Sequence, residues 1–214
     1  MLEGYALTES MMGSIISPIN GKRKPGAVGL PLPDIEIRIA DSDTGVGSLP
    51  PGDVGEILMR APQLMRGYFD REKETAEIIR DGWLFTGDLG YMDSEGYVFI
   101  VDRKKDVIKP SGFQVWPREV EEVLSSHTAV SEVGVAGVPD LHQGEAVKAW
   151  IVLNEGQQPT IDELKDYCRQ RLAGYKVPKQ IEFRSELPKT MIGKVLRREL
   201  VAEEDNVKTK ARPG

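Results

Sequence analysis

The sequence is poor in residues on which several function classes depend. One cysteine, Cys168, stands among 214 residues; that excludes an internal disulfide framework and a cysteine-built metal site, and it fits a reducing, cytoplasmic setting. Histidine occurs twice, at His127 and His142. Neither has a cysteine or carboxylate partner at ligand spacing, so both read as solvent-facing or capping side chains and neither is given a role. No apolar run is long enough to cross a bilayer, and the opening MLEGYALTES has neither the basic nor the apolar segment of a signal peptide. Positive charge is in deficit: 28 Lys and Arg stand against 34 Asp and Glu, a net charge of -6. That balance excludes the broad basic footprint of a nucleic-acid or anionic-membrane binder, so an anionic ligand must be met by local basic groups.

What is present describes a folded chain with one substantial core or two modest ones. The first half reads as short strands and turns. Ile35, Ile37 and Ile39 alternate inward along Ile35 to Ala40, and Gly55 to Arg60 follows the turn Pro51-Gly52-Asp53. Asp70 is placed to cap a helix over Arg71 to Arg80, which Asp81-Gly82 would stop. Strands flank the turn Asp93-Ser94-Glu95-Gly96, the second of them from Tyr97 to Val101. The run Asp102-Arg103-Lys104-Lys105-Asp106 is poor core material and marks a boundary between two bodies.

Beyond it, Pro117 opens a helix whose Val120, Val123 and Leu124 share one face. Strands are expected at Val130 to Val138, Ala146 to Leu153 and Lys179 to Arg184. Thr160 with Glu163 has the form of a capping box before a helix carrying Leu164, Cys168 and Leu172, ended by Gly174. A last helix is expected over Val195 to Glu204, with 206–214 a frayed tail. The fold class is α+β: a strand-rich, β-barrel-like first part followed by a small α+β domain. The boundaries are 1–101 for the first part, 102–105 for the connection, which the resemblance described next implies is a hinge, and 106–205 for the second domain, which it implies is mobile.

Three segments carry a resemblance. The first is Gly4-Tyr5-Ala6-Leu7-Thr8-Glu9; the second is Gly82-Trp83-Leu84-Phe85-Thr86-Gly87-Asp88-Leu89-Gly90 with Asp102-Arg103-Lys104-Lys105-Asp106-Val107-Ile108-Lys109; the third is Leu187-Pro188-Lys189-Thr190-Met191-Ile192-Gly193-Lys194. Alone, each has a plain structural reading: a helix start, a turn and a charge run, an exposed lysine before a helix. Together and in this order they resemble the adenylate-forming enzyme superfamily, and the stretch from Lys109 to Val123, with its run Glu119-Val120-Glu121-Glu122, is most similar to the AMP-forming fatty-acyl-CoA ligases.

The resemblance implies a ligase of fatty acid metabolism that joins a fatty acid to coenzyme A through an acyl adenylate, consuming ATP and releasing AMP and pyrophosphate. Tyr5 would lie against adenine, Thr8 would meet the phosphates, and Glu9 would hold Mg2+, the residue types that such contacts need. Asp88 would accept from the ribose hydroxyls and Arg103 would reach ribose or phosphate. Lys105 falls at the hinge, and Lys109 and Gly112 would line the tunnel for the pantetheine arm of CoA. Trp116 either packs beside that arm or fills the small domain's core. Lys194 would enter the active site for adenylation, with Thr8 and Glu9 beside it in the catalytic set. Ala6 stands where the family has glycine.

The family's Ser/Thr/Gly-rich phosphate loop has no counterpart in the sequence, so the chain is expected to be the C-terminal part of a longer ligase and inactive alone. An aryl-CoA ligase is the nearest alternative; a non-catalytic binding module of the same descent is another. The partners expected are small molecules, with no nucleic acid and no membrane segment, and a homodimer formed by exchange of the small domain is left open.

Overall fold

The computed structural model describes residues 2–191 and 193–210. The chain divides into two compact units, Met1–Lys105 and Asp106–Gly214, each with its own core.

The first unit is built on one eight-stranded sheet. Its strands are β1 (Gly4–Ala6), β2 (Gly13–Ile16), β3 (Ala27–Pro31), β4 (Glu36–Ala40), β5 (Gly55–Arg60), β6 (Ile79–Arg80), β7 (Trp83–Met92) and β8 (Val98–Arg103). They run in the order β1-β2-β3-β8-β7-β5-β4, with β6 paired to β7. The sheet is open, so the barrel-like expectation becomes an edged sheet with β1 and β4 at its ends. Its core holds Tyr5, Ile15, Ile35, Ile39, Ile57, Met59, Leu84 and Val98.

The open sheet is nonetheless curled. Four strand steps separate β1 from β7, roughly 19 Å if flat at ~4.8 Å per step, yet the hydroxyl of Tyr5 on β1 reaches the carboxylate of Asp88 on β7 at 2.6 Å. The bend falls at β3, whose register slips between Ala27 and Gly29. A Cβ on Gly29 would lie 2.0 Å from the backbone carbon of Ile16, so only glycine lets the strands close in there.

One short helix, α1 (Glu72–Ile78), lies in this unit, inside the expected 71–80. Asp70 is not its cap. It takes the left-handed conformation (φ 53°), and the helix entry is tied instead by Thr75, whose hydroxyl accepts from the Tyr68 amide and donates to the Arg71 carbonyl, both at 2.9 Å. The end of the expected helix is β6, where β-branched Ile79 pairs with Leu84.

The second unit is a three-stranded sheet, order β11-β10-β9, made of β9 (Val130–Asp140), β10 (Gly144–Leu153) and β11 (Gln180–Phe183). A tight turn joins β9 to β10 antiparallel, and helix α3 (Ile161–Arg169) carries the chain over to β11, which runs parallel to β10. Helices α2 (Pro117–Ser125) and α3 cover one face through Val120, Leu124, Leu164 and Cys168. Helix α4 (Arg197–Lys210) covers the other through Leu200, against Trp150 and Val138.

Burial on both faces explains the apolar run Ala146–Ile151. Its one charge, Lys148, is buried and ion-paired to Glu182 at 2.7 Å and to Glu204 of α4. Thr160 and Glu163 form the capping box with reciprocal bonds. Gly174 does not end α3, which stops at Arg169; it opens a 3-10 turn at Gly174–Lys176. The last helix begins two residues later than expected because Val195 pairs with Lys189. It runs on through Lys210, so the segment expected to fray begins as helix, and 211–214 lie outside the described residues.

Candidate active site

The most built part of the first unit surrounds Asp88. Sequence reasoning allowed Asp88 to be a turn residue between two glycines, but it stands inside the long strand β7, on a bulge. Pairing between β5 and β7 jumps from Leu58↔Phe85 to Glu56↔Leu89, so Thr86, Gly87 and Asp88 together stand opposite Ile57 alone. The Thr86 hydroxyl closes this bulge by donating to the Ile57 carbonyl at 2.7 Å and accepting from the Asp88 amide at 3.1 Å. Gly87 takes φ 71°, a conformation that disfavours side chains with a Cβ. Bulges re-aim side chains, and this one aims Asp88 at its partners.

Those partners are two. The Tyr5 hydroxyl donates to Oδ2 at 2.6 Å. Arg103, directly across from Asp88 in the β7–β8 pairing, brings Nε to 3.4 Å from Oδ1. The Asp88 side chain is buried while that of Arg103 is half exposed. Burial, and then the neighbouring Asp88 charge, push the Tyr5 phenol far above its ordinary range, so it stays a donor at any physiological pH. A carboxylate has about four lone-pair sites; two are used here, which leaves acceptor capacity for a ligand diol.

Glu56 lies beneath the bulge, 3% exposed and followed by the apolar run Ile57-Leu58-Met59. It accepts the Gly87 amide at 3.2 Å and the Lys104 ammonium at 2.7 Å. Its signal in the sequence is a lone carboxylate in Gly55-Glu56-Ile57-Leu58-Met59, since burial of an unpartnered charge is costly.

Thr8 and Glu9 form a 3-10 turn at Thr8–Ser10 rather than opening a longer helix. Thr8 is exposed. The Glu9 carboxylate accepts from the Tyr68 hydroxyl at 2.6 Å, and its backbone carbonyl takes the Met65 amide at 2.8 Å. That hydrogen bond, with some burial, pushes the Tyr68 phenol up to about 12. Tyr68, 59 residues away in sequence, had no signal in the pattern. No cluster of three or more metal-ligating side chains occurs among the described residues. Glu9 is a single hard oxygen donor, and that suffices for Mg2+, which keeps several waters and takes one or two carboxylates together with substrate phosphates.

The remaining predicted residues belong to the second unit. Lys194 is exposed on a tight loop. The loop is closed by the Lys189↔Val195 bridge, by the Thr190 amide on the Lys194 carbonyl at 2.8 Å and by the Lys194 amide on the Thr190 hydroxyl at 3.1 Å. Lys109 is exposed and its amide donates to Glu145 at 2.7 Å. Gly112 takes φ 85°, beside Ser111 at φ 50°, so the chain turns sharply there.

Near that turn opens a cavity of about 490 Å³, with Pro110, Gln143, Lys165, Arg169, Tyr175 and Lys179 in its wall. The Tyr175 ring stacks on Phe113 at 4.8 Å. The Lys176 ammonium lies 5.3 Å from the Trp116 ring, and Trp116 Nε1 is buried without a hydrogen-bond partner.

Residues 1–69 match the AMP-binding enzyme family and residues 119–194 match the AMP-binding enzyme C-terminal domain. The long-chain-fatty-acid–CoA ligase of Bacillus subtilis is 50% identical over 204 residues, 95% of this chain and 36% of that protein. This chain thus spans about a third of the length of the curated relatives it matches. Among solved structures, ATP-bound MatB from Rhodopseudomonas palustris is similar with a TM-score of 0.90 and 36% identity, over 97% of this chain and 41% of that one. The o-succinylbenzoate CoA synthetase of Bacillus subtilis, in complex with an acyl-adenylate intermediate, follows at 0.82 and 38%, over 93% and 40%.

Proposed function

The chain belongs to the AMP-binding enzyme family, and from that membership we propose that it carries the ribose-binding wall, the hinge and the lysine-bearing domain of a fatty-acid–CoA ligase. The observation that carries this reading is Asp88, a buried carboxylate on a strand bulge, held by Tyr5 and Arg103 with acceptor capacity to spare.

The reaction runs in two steps. A carboxylate oxygen of the fatty acid attacks the α-phosphorus of ATP; the new P–O bond forms as the bond to pyrophosphate breaks, giving acyl adenylate. Two anions must approach, so fixed positive charge is the main requirement. Lys194 supplies it where charge builds between the carboxylate and the nucleotide. Glu9 is the residue that would hold Mg2+, which screens phosphate charge when bound. Asp88 fixes the ribose through its hydroxyls, and Arg103, half exposed, has donors left over for ribose or phosphate.

In the second step the CoA thiol attacks the acyl carbon. The thioester C–S bond forms, the thiol proton passes to solvent, and AMP departs with the electrons of the cleaved acyl–phosphate bond. Lys109 and Gly112 line the approach of the pantetheine arm. The cavity lined by Lys165, Tyr175 and Lys179 suits the phosphorylated adenosine end of CoA, offering an aromatic face beside cationic side chains. Lys105 is the pivot that lets one domain serve both steps. The chain by itself does not turn over in this reading, because its sequence has no counterpart of the family's phosphate loop.

The test is ATP–pyrophosphate exchange with magnesium and a fatty acid, run on this chain and on a full-length ligase containing it. The full-length protein exchanges and Lys194→Ala lowers its rate by about a hundredfold or more, the cost of one such donor. Exchange untouched by Lys194→Ala would overturn the catalytic assignment.

A further inference from the structure

The pivot assigned above stands between two pinned neighbours. On one side Lys104 donates to Glu56 at 2.7 Å, and the other oxygen of Glu56 holds the Gly87 amide next to Asp88. On the other side Asp106 accepts from Arg197 Nη1 at 3.1 Å. Lys105 between them is exposed. Arg197 is itself locked: its Nε and Nη2 grip the carboxylate of Glu121 on α2 at 2.9 and 2.6 Å, and that carboxylate also takes the Val135 amide of β9 at 2.9 Å.

A two-pronged guanidinium–carboxylate pair is directional as well as strong. The Arg197, Asp106 and Glu121 side chains are only 21%, 28% and 19% exposed, so solvent screens this pair less than an exposed one. Arg197 opens α4 three residues after Lys194. Between them Val195 packs on the α4 side of the sheet, and Leu196 donates to the Pro188 carbonyl at 2.8 Å. The loop that presents Lys194 is therefore built on the same fixed base as the residue next to the pivot.

We propose that Arg197 is a positioning residue: by holding Asp106 and Glu121 together it makes the first residue after the pivot, α2 and the Lys194 loop one rigid lever, so that rotation at Lys105 is delivered to the lysine undamped. This rests on the functional reading above, with Lys194 acting in adenylation. Arg197 touches no reacting atom in it; its effect runs through Lys194.

The experiment compares Arg197→Met, Asp106→Asn, Lys194→Ala and the Arg197→Met/Lys194→Ala pair in the full-length ligase. ATP–pyrophosphate exchange and thioester formation from supplied acyl adenylate are read separately, with thermal melting as a fold control. Arg197→Met lowers exchange about ten- to a hundredfold, the effect of misplacing a reacting group by about an ångström, and lowers thioester formation much less. Asp106→Asn lowers exchange in the same direction. The double variant exchanges no more slowly than Lys194→Ala alone, because the lever has nothing left to carry. An additive loss in the double variant, or equal loss of both half-reactions, would make Arg197 merely structural. Full exchange in Asp106→Asn would sever the link to the pivot. If Lys194→Ala alone leaves exchange intact, the functional reading fails first, and this inference falls with it.

Discussion

At the scale of single residues, the Tyr5–Asp88 hydrogen bond is the contact whose loss should be easiest to read. Tyr5→Phe keeps the ring and removes the donor. A bond to an ionised acceptor contributes about 1.5–3 kcal/mol, so AMP binding should weaken about ten- to a hundredfold by calorimetry; an unchanged affinity would take the hydroxyl out of the site. Cys168 offers a test of a different kind. Burial in the α2–α3 core raises its thiol from 9.0 to about 11. The unfolded chain then loses this proton near pH 9 while the folded chain keeps it to about 11. The stability so contributed is whole below pH 9 and is lost as pH climbs to about 11. The melting temperature should fall across that window, and Cys168→Ala should flatten the step while lowering the melting point at neutral pH through the small cavity it leaves.

Among the elements, β7 has the most to test, because its glycines serve different ends. A Cβ at Gly90 would sit 2.3 Å from the Phe99 carbonyl and 2.7 Å from Ile57 Cδ1, whereas one at Gly87 would meet nothing. Gly90→Ala should therefore cost about 1–3 kcal/mol by overpacking, and Gly87→Ala only the ~1 kcal/mol of a left-handed backbone; thermal unfolding ranks the two. Signals confined to a few residues were legible in the sequence. Pro117 opens α2, Thr160 with Glu163 caps α3, and the apolar stretch from Ala146 to Leu153 is the strand β10. What could not be read depends on distant partners. The bulge at Thr86–Asp88 exists because Ile57 and Glu56 stand opposite it, and α1 starts at Glu72 because Thr75, not Asp70, ties its entry. The candidate site divides the same way: motif order named Asp88, Arg103 and Lys194, while Glu56, Tyr68 and Arg197 emerge only when strands and helices bring them there.

For the molecule as a whole, the proposed division of labour puts its weight on Lys105, the last residue of the first compact unit. Proline fixes φ near −65°, so Lys105→Pro should hold the second domain in one orientation. Thioester formation should fall about a hundredfold, the cost of a misplaced reacting group, while adenylation falls much less; equal loss in separate half-reaction assays would contradict a pivot at this position. The curl of the first sheet has its own consequence. Tyr5 and Asp88 are 83 residues apart in the chain and meet only after β3 has bent at Gly29. A contact made by closing such a long loop has no partial version: a nucleotide bound there, as proposed, would recognise a finished sheet and nothing earlier. It would act as a staple across the bend, adding about 2.7 kcal/mol to the folded state at a hundred times its dissociation constant. Occupancy would then be a record of completed folding, written by the substrate itself.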